Sequence, residues 1–201
     1  EHDNLIGKNV ITSKGAIHYL TLDEIKNNHN YLADKLKKNH EYILLVLGGP
    51  NKYYDYEDQN LINIFSIIKK ILNKNNLQAI VIPSMRTPKK IINLADEHLG
   101  PENLVINNID KKAYLSGLSL AKYIVVTCDS ISMISEAALT EKPIYIADIP
   151  AKRKDERFKK FRDLFSELNI TKNLNEKLEI WSYKSLNETT RIAEEIKKYI
   201  S

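Results

Sequence analysis

At 201 residues, with 43% hydrophobic and 28% charged side chains, the chain has the make-up of a globular protein rather than a disordered one, and it is long enough for one substantial core. Thirty Lys and Arg against 26 Asp and Glu leave a net charge of +4, compatible with an anionic ligand but short of the excess that would make nucleic acid the leading partner. The single cysteine, Cys128, excludes an internal disulfide and a cysteine metal cluster and points weakly to a reducing compartment.

No apolar run reaches the roughly 18–20 residues that cross a bilayer. The first residues, "EHDNLIGKNV", have no initiator Met and lack the basic-then-apolar order of a signal peptide, so a piece of a longer chain is expected. Residues 1–20 read as an extended interdomain segment. "LDEIKNNHNYLADKLKK" (22–38) reads as a helix, and "EYILLVLGG" (41–49) as a strand buried on both faces. The stretch 55–74 is a helix by its period, with Leu61, Ile64, Phe65, Ile68 and Leu72 on one face. A strand follows at 77–84, then a helix at 87–100 that Gly100-Pro101 stops, a strand at 103–108 and a helix at 110–121. The strand 122–129 runs into a helix at 130–141, and a fifth strand lies at 142–148. A helix at 152–168 has Phe158, Phe161, Leu164, Phe165 and Leu168 as its inner stripe. A last helix at 185–200 has Asn187 as its cap.

Strands alternating with helices over about 110 residues predict a parallel sheet covered on both sides. The expected fold class is α/β, a Rossmann-like doubly wound parallel sheet. Its domain occupies 21–184, and 185–201 form a C-terminal helix. In such sheets ligands gather at the carboxyl ends of the strands. Those ends are polar or glycine-rich here: Gly48-Gly49-Pro50-Asn51, Ser84-Met85-Arg86-Thr87, Asn107-Asn108 and Asp129-Ser130-Ile131-Ser132.

Each of these residues has a functional and a structural reading. Gly48 and Gly49 permit positive φ and close approach of a ligand, or simply make a tight turn. Asn51 caps that turn or touches the ligand. Arg86 forks onto a phosphate, or is a solvated loop residue. Thr87 before Pro88 is a good helix cap. Ser130 caps the helix beginning at Ile131, where phosphate would gain from the first-turn amides, with the hydroxyls of Ser130 and Ser132 as added donors. Glu136, four residues beyond Ser132, would accept hydrogen bonds from the two hydroxyls of a ribose. Otherwise Ser130 is a mere cap and Glu136 a surface carboxylate. Asp129 would repel phosphate; it orients backbone amides or binds a sugar hydroxyl. Met133, Ala137 and Ala138 are read as helix–sheet packing, and Cys128 as a small core residue rather than a nucleophile.

The segments "HDNLIGKNV", "GGPNKYY", "PSMRTP", "TCDSISMISEAALTEKPIYI" and "FRDLF", followed by "LNETTRIAEEI", resemble the mitochondrial-fission "elongated mitochondria" family, in the form of its bacterial-type members. The resemblance runs over nearly the whole chain in order. Members are longer at the amino end, so this chain would be their carboxyl-terminal half plus a connecting segment. That family is in turn similar to GT-B glycosyltransferases, whose carboxyl-terminal domain binds the nucleotide-sugar donor. By that likeness Gly48, Gly49 and Asn51 lie at the phosphate or sugar loop, Arg86, Ser130 and Ser132 meet the diphosphate, Glu136 meets the ribose, and Asn107 and Asn108 hold the nucleobase.

The acceptor site and the usual catalytic base would belong to the other domain. No catalytic residue is therefore named, and this part alone is expected to be inactive. No metal and no cofactor beyond the nucleotide-sugar as donor substrate are implied. The expected partners are a nucleoside-diphosphate sugar, an acceptor of unknown kind (a glycan or a lipid) and the missing amino-terminal domain, with no nucleic acid.

A second reading is a noncatalytic adaptor or peripheral membrane protein on a degenerate GT-B scaffold. It rests on the basic stretch "AKRKDERFKK" (151–160), which is otherwise a solvated helix face. A third is a hydrolase or epimerase using the same site. The expected location is the cytoplasm, with membrane contact at its cytoplasmic face under the second reading.

Overall fold

The computed structural model describes residues 5–200. Six strands, β1 (Glu41–Leu47), β2 (Leu77–Pro83), β3 (Leu104–Val105), β4 (Tyr123–Thr127), β5 (Ile144–Ala147) and β6 (Thr171–Asn173), form one sheet in the order β3-β2-β1-β4-β5-β6. Every pairing is parallel. The helices are α1 (Leu22–Asn27), α2 (Asp58–Asn75), α3 (Lys89–Leu99), α4 (Lys111–Leu120), α5 (Ile131–Ala137), α6 (Glu156–Glu167) and α7 (Glu188–Ile200), with 3₁₀ turns at His29–Lys35 and Ala138–Thr140. This is the doubly wound Rossmann-like arrangement that the alternating pattern predicts.

The central strands carry near-continuous aliphatic runs because both of their faces are covered. All seven residues of β2, and all residues of β4 and β5, are buried. From one side α2 contributes Leu61, Ile64, Phe65, Ile68, Ile71 and Leu72, a helical stripe wholly withdrawn from solvent. α4 lies close on β1 at Gly117, where a Cβ would stand 2.8 Å from a Leu44 methyl. On α6 only Phe161 and Phe165 of the expected stripe are fully buried, with ring centroids 4.2 Å apart. Phe158, Leu164 and Leu168 are partly covered.

Local competition for hydrogen bonds explains where the elements depart from expectation. The helix expected over 22–38 breaks at Asn28, because buried Ser116 of α4 donates to the His29 carbonyl (2.8 Å) and accepts from Leu32 N–H (3.1 Å). The helix expected over 130–141 tightens into a 3₁₀ turn at Ala138, where the Thr140 hydroxyl takes the Ala137 carbonyl at 2.7 Å. β6 carried no apolar signal in the sequence; "TKN" is an edge strand recruited by pairing Thr171 with Ile144. Thr87 is not a cap: α3 starts after Pro88 without a side-chain cap. Its hydroxyl instead accepts from Ser84 N–H (2.8 Å) and faces the carbonyls of Leu47 (2.8 Å) and Gly48 (2.6 Å), tying the β2 loop to the end of β1.

The segment before α1 crosses the sheet's carboxyl side and is pinned to α5 and α7. Lys14 N–H donates to Glu188 (2.7 Å), Ala16 N–H to Ser135 Oγ (2.9 Å) and His18 N–H to Thr189 Oγ1 (3.1 Å). Asn187 does cap α7, accepting from Thr190 N–H at 3.1 Å. Chain order reverses between β1 and β4, the crevice where open α/β sheets take their ligands.

Candidate functional site

At that reversal the loops after β1, β2 and β4 meet around one buried carboxylate. Asp129 Oδ1 accepts from the hydroxyls of Thr127 (2.7 Å) and Tyr56. Its Oδ2 accepts from Gly49 N–H (3.3 Å) and from Arg86 Nη2 (2.7 Å). The Asp129 side chain is fully buried and the Arg86 side chain is 40% exposed. Two donors on each oxygen satisfy the carboxylate, which makes its burial tolerable. Thr127 Oγ1 also accepts from Gly48 N–H at 2.8 Å, so both glycine amides are anchored to the end of β4.

This corrects the expectation of positive φ at the two glycines. Neither has a positive φ. They are bare because protein groups crowd them: a Cβ on Gly48 would lie 2.2 Å from Asp129 Oδ1, and one on Gly49 would lie 2.0 Å from the Arg86 carbonyl oxygen. Asn51 shapes the same loop, its Oδ1 accepting from Tyr53 N–H (2.7 Å) and Tyr54 N–H (3.1 Å). The loop is then locked to α6, where Arg162 donates to Tyr54 Oη (2.8 Å) and Asp155 (3.1 Å).

Arg86 is held from behind. Nη1 donates to the Gly49 carbonyl at 3.0 Å and Nη2 to Asp129, leaving three of its five N–H groups for other acceptors. The guanidinium borders a cleft of about 350 Å³ whose lining includes Tyr19, Met85, Arg86, Ile109, Tyr114, Ser130, Met133 and Glu136. Ser130 caps α5 through Met133 N–H at 3.3 Å, so one first-turn amide is already taken. Glu136 is steadied from α4 by the Tyr114 hydroxyl at 2.8 Å. Burial first, and then the Glu136 charge, push the Tyr114 hydroxyl well above its ordinary pKa, so it remains a donor.

The remaining expected residues lie apart from this cleft. Ser132 is exposed, because the face of α5 toward the cleft is that of Ser130, Met133 and Glu136. Met133 therefore lines the cleft rather than only packing on the sheet, whereas Ala137 and Ala138 are buried. Asn107 and Asn108 are exposed, with Lys89 Nζ 3.1 Å from Asn107 Oδ1; the residues of that loop reaching the cleft are Ile109 and Asp110. Cys128 is buried, its sulfur accepting from Ile149 N–H at 3.2 Å, and burial pushes its pKa up to about 12.

The family described as Mitochondrial fission ELM1 matches residues 1–200. The chain belongs to this family. An uncharacterised protein of Rickettsia prowazekii (strain Madrid E) is 32% identical over 160 residues, 76% of this chain and 45% of that protein. The mitochondrial fission protein ELM1 of Arabidopsis thaliana is 29% identical over 123 residues, 59% of this chain and 28% of that protein. The chain thus spans less than half the length of these relatives. A crystal structure of UDP-N-acetylglucosamine 2-epimerase matches 93% of this chain and 48% of its own, at 15% identity and a TM-score of 0.50. The shared feature is the fold, a Rossmann-like α/β domain.

Within this family member the sequence reading missed Tyr56, Thr127 and Tyr114, which hold Asp129 and Glu136 in place. Thr127 had a signal, a polar residue closing an apolar strand. The two tyrosines had none, because their partners lie 73 and 22 residues away. Among the described residues no helix is long and apolar enough to cross a membrane, and no group of His, Cys, Asp and Glu could hold a metal ion. In the basic stretch 151–160, Lys152 pairs with Asp55 (2.5 Å) and Lys159 with Asp163 (2.7 Å), while Arg153 and Lys154 are exposed.

Proposed function

We propose that this chain is the donor-binding domain of a GT-B-like glycosyltransferase, taking a nucleoside-diphosphate sugar in the cleft at the β1/β4 reversal. The observation that supports this most is the pairing of two braced, opposite charges on one cleft: Arg86, backed by Asp129 and the Gly49 carbonyl, and Glu136, backed by Tyr114. A guanidinium with spare N–H groups suits phosphate oxygens. A carboxylate accepting from Tyr114 keeps lone pairs for two ribose hydroxyls. Bracing from behind lowers the ordering cost of binding.

In this reading the domain grips the departing nucleoside diphosphate, and Arg86 offsets charge that grows on the phosphate as the bond to the sugar breaks. The acceptor and its base come from the remainder of the protein. Isothermal titration of the chain with uridine diphosphate tests this. Saturable binding is expected, and Arg86→Ala should weaken it at least about tenfold, the loss of one charge-assisted hydrogen bond. An absence of heat at millimolar ligand would overturn it.

A second reading follows from the name of the plant relative: a noncatalytic adaptor in mitochondrial fission, docking on anionic membrane through 151–160. The pairing of Lys152 and Lys159 with carboxylates weakens that surface. Co-sedimentation with vesicles that rises with anionic lipid content would favour it; indifference to lipid charge would remove it.

A further inference from the structure

The charges around the cleft carry a further consequence for which nucleotides it accepts, resting on the donor-binding reading above. Among the described residues, four charged side chains line the cleft: Arg86, Asp110, Lys111 and Glu136. They are two cations and two anions. Each cation has, in addition, its own carboxylate outside the lining: Asp129 on Arg86 at 2.7 Å, and Glu24 on Lys111 at 3.1 Å. Asp110 is engaged by Ala113 N–H (3.0 Å) and the Tyr31 hydroxyl (2.9 Å), both neutral, and the Lys35 charge, from outside the lining, acts on it last and least among its influences. The apolar remainder of the wall, with Leu20, Val46, Ile82, Met85, Ile109 and Met133, adds no cation.

We infer that Asp129 and Glu24 set a charge balance that makes the cleft favour a diphosphate esterified at both ends over nucleotides with an ionised terminal phosphate, the penalty growing with charge so that UDP still binds and UTP binds least. A terminal phosphate undergoes a second ionisation near neutral pH. In a nucleotide-sugar the outer phosphate is esterified and this ionisation is lost. Fully charged terminal phosphates are usually met by several uncommitted cations. Here both lining cations are already partnered, and Glu136 and Asp110 face the same space. Asp129 is thus a positioning residue with a second effect: it aims the guanidinium and reduces the charge that a ligand experiences.

The test is titration of the 201-residue chain with UDP-N-acetylglucosamine, UDP and UTP, at low ionic strength with EDTA present. UTP should bind roughly five- to tenfold more weakly than UDP-N-acetylglucosamine, with UDP between the two, and the gap should narrow as salt screens the repulsion. Glu24→Gln keeps a side chain able to close the Thr21 cap and releases Lys111, so it should shrink the UTP penalty while leaving UDP-N-acetylglucosamine nearly unchanged. Glu136→Gln, which keeps an acceptor for Tyr114, should shift the ratio of the two affinities in the same direction. UTP binding as tightly as the nucleotide-sugar, or a ratio that neither substitution moves, overturns the inference while leaving the donor site standing. If none of the three ligands binds, the donor-binding reading itself falls, and the inference with it.

Discussion

Tyr56→Phe deletes one oxygen from the centre of the site and nothing else. The lost hydroxyl donates to Asp129 Oδ1 and lies 2.9 Å from Thr127 Oγ1, in a region closed to solvent. A hydrogen bond to an ionised group contributes about 1.5–3 kcal/mol. Asp129 keeps three donors, from Thr127, Gly49 and Arg86, so the carboxylate is weakened rather than orphaned. The expected loss is about 2 kcal/mol, or about 4–8 °C in Tm for a domain of this size. Urea unfolding followed through Trp181, the single tryptophan, reports it; the indole packs edge-on to Tyr145 at 5.2 Å. In an Asp129→Asn background the same change should cost at least about 1 kcal/mol less, because the charge that made the bond strong is gone. Additive effects, within about 0.5 kcal/mol, would show that Tyr56 does not act through Asp129.

Two further outcomes follow from buried groups away from the cleft. Cys128, its pKa pushed up to about 12 by burial, should resist alkylation by iodoacetamide at pH 8 in the folded chain and react at once in denaturant; rapid native labelling would contradict the packing described. Lys142 is drawn by burial from its ordinary 10.5 to about 8, while its Nζ donates to the carbonyls of Leu118 and Ser119 at 2.6 Å, closing the end of α4. The unfolded chain then binds more protons between those two values, so stability should rise with pH from about 8 to 10.5. Lys142→Met should flatten that slope in chemical denaturation; an unchanged slope would assign it to other groups.

Much of the architecture could be read from the sequence because the central strands are buried on both faces, so Tyr42–Leu47 and Tyr123–Val126 announce themselves as unbroken apolar runs. The same runs, with helices between them, indicated which loops would share an edge. What the sequence concealed was set by long-range partners. Ser116 broke the first expected helix from a separation of 87 residues, and Asp129 recruited Tyr56 from 73 residues away. The two glycines stand out in the sequence, but not for the positive φ expected of them. They yield space to Asp129 and to the Arg86 backbone, which only the folded loops reveal.

Whether the cleft beside Arg86 takes a nucleoside diphosphate is decided by a crystal of this chain soaked with UDP at millimolar concentration. Density is expected for the diphosphate against the outward N–H groups of Arg86 beside Ser130, with the ribose hydroxyls against Glu136. Density at another face, or an empty cleft at saturating ligand, would contradict it.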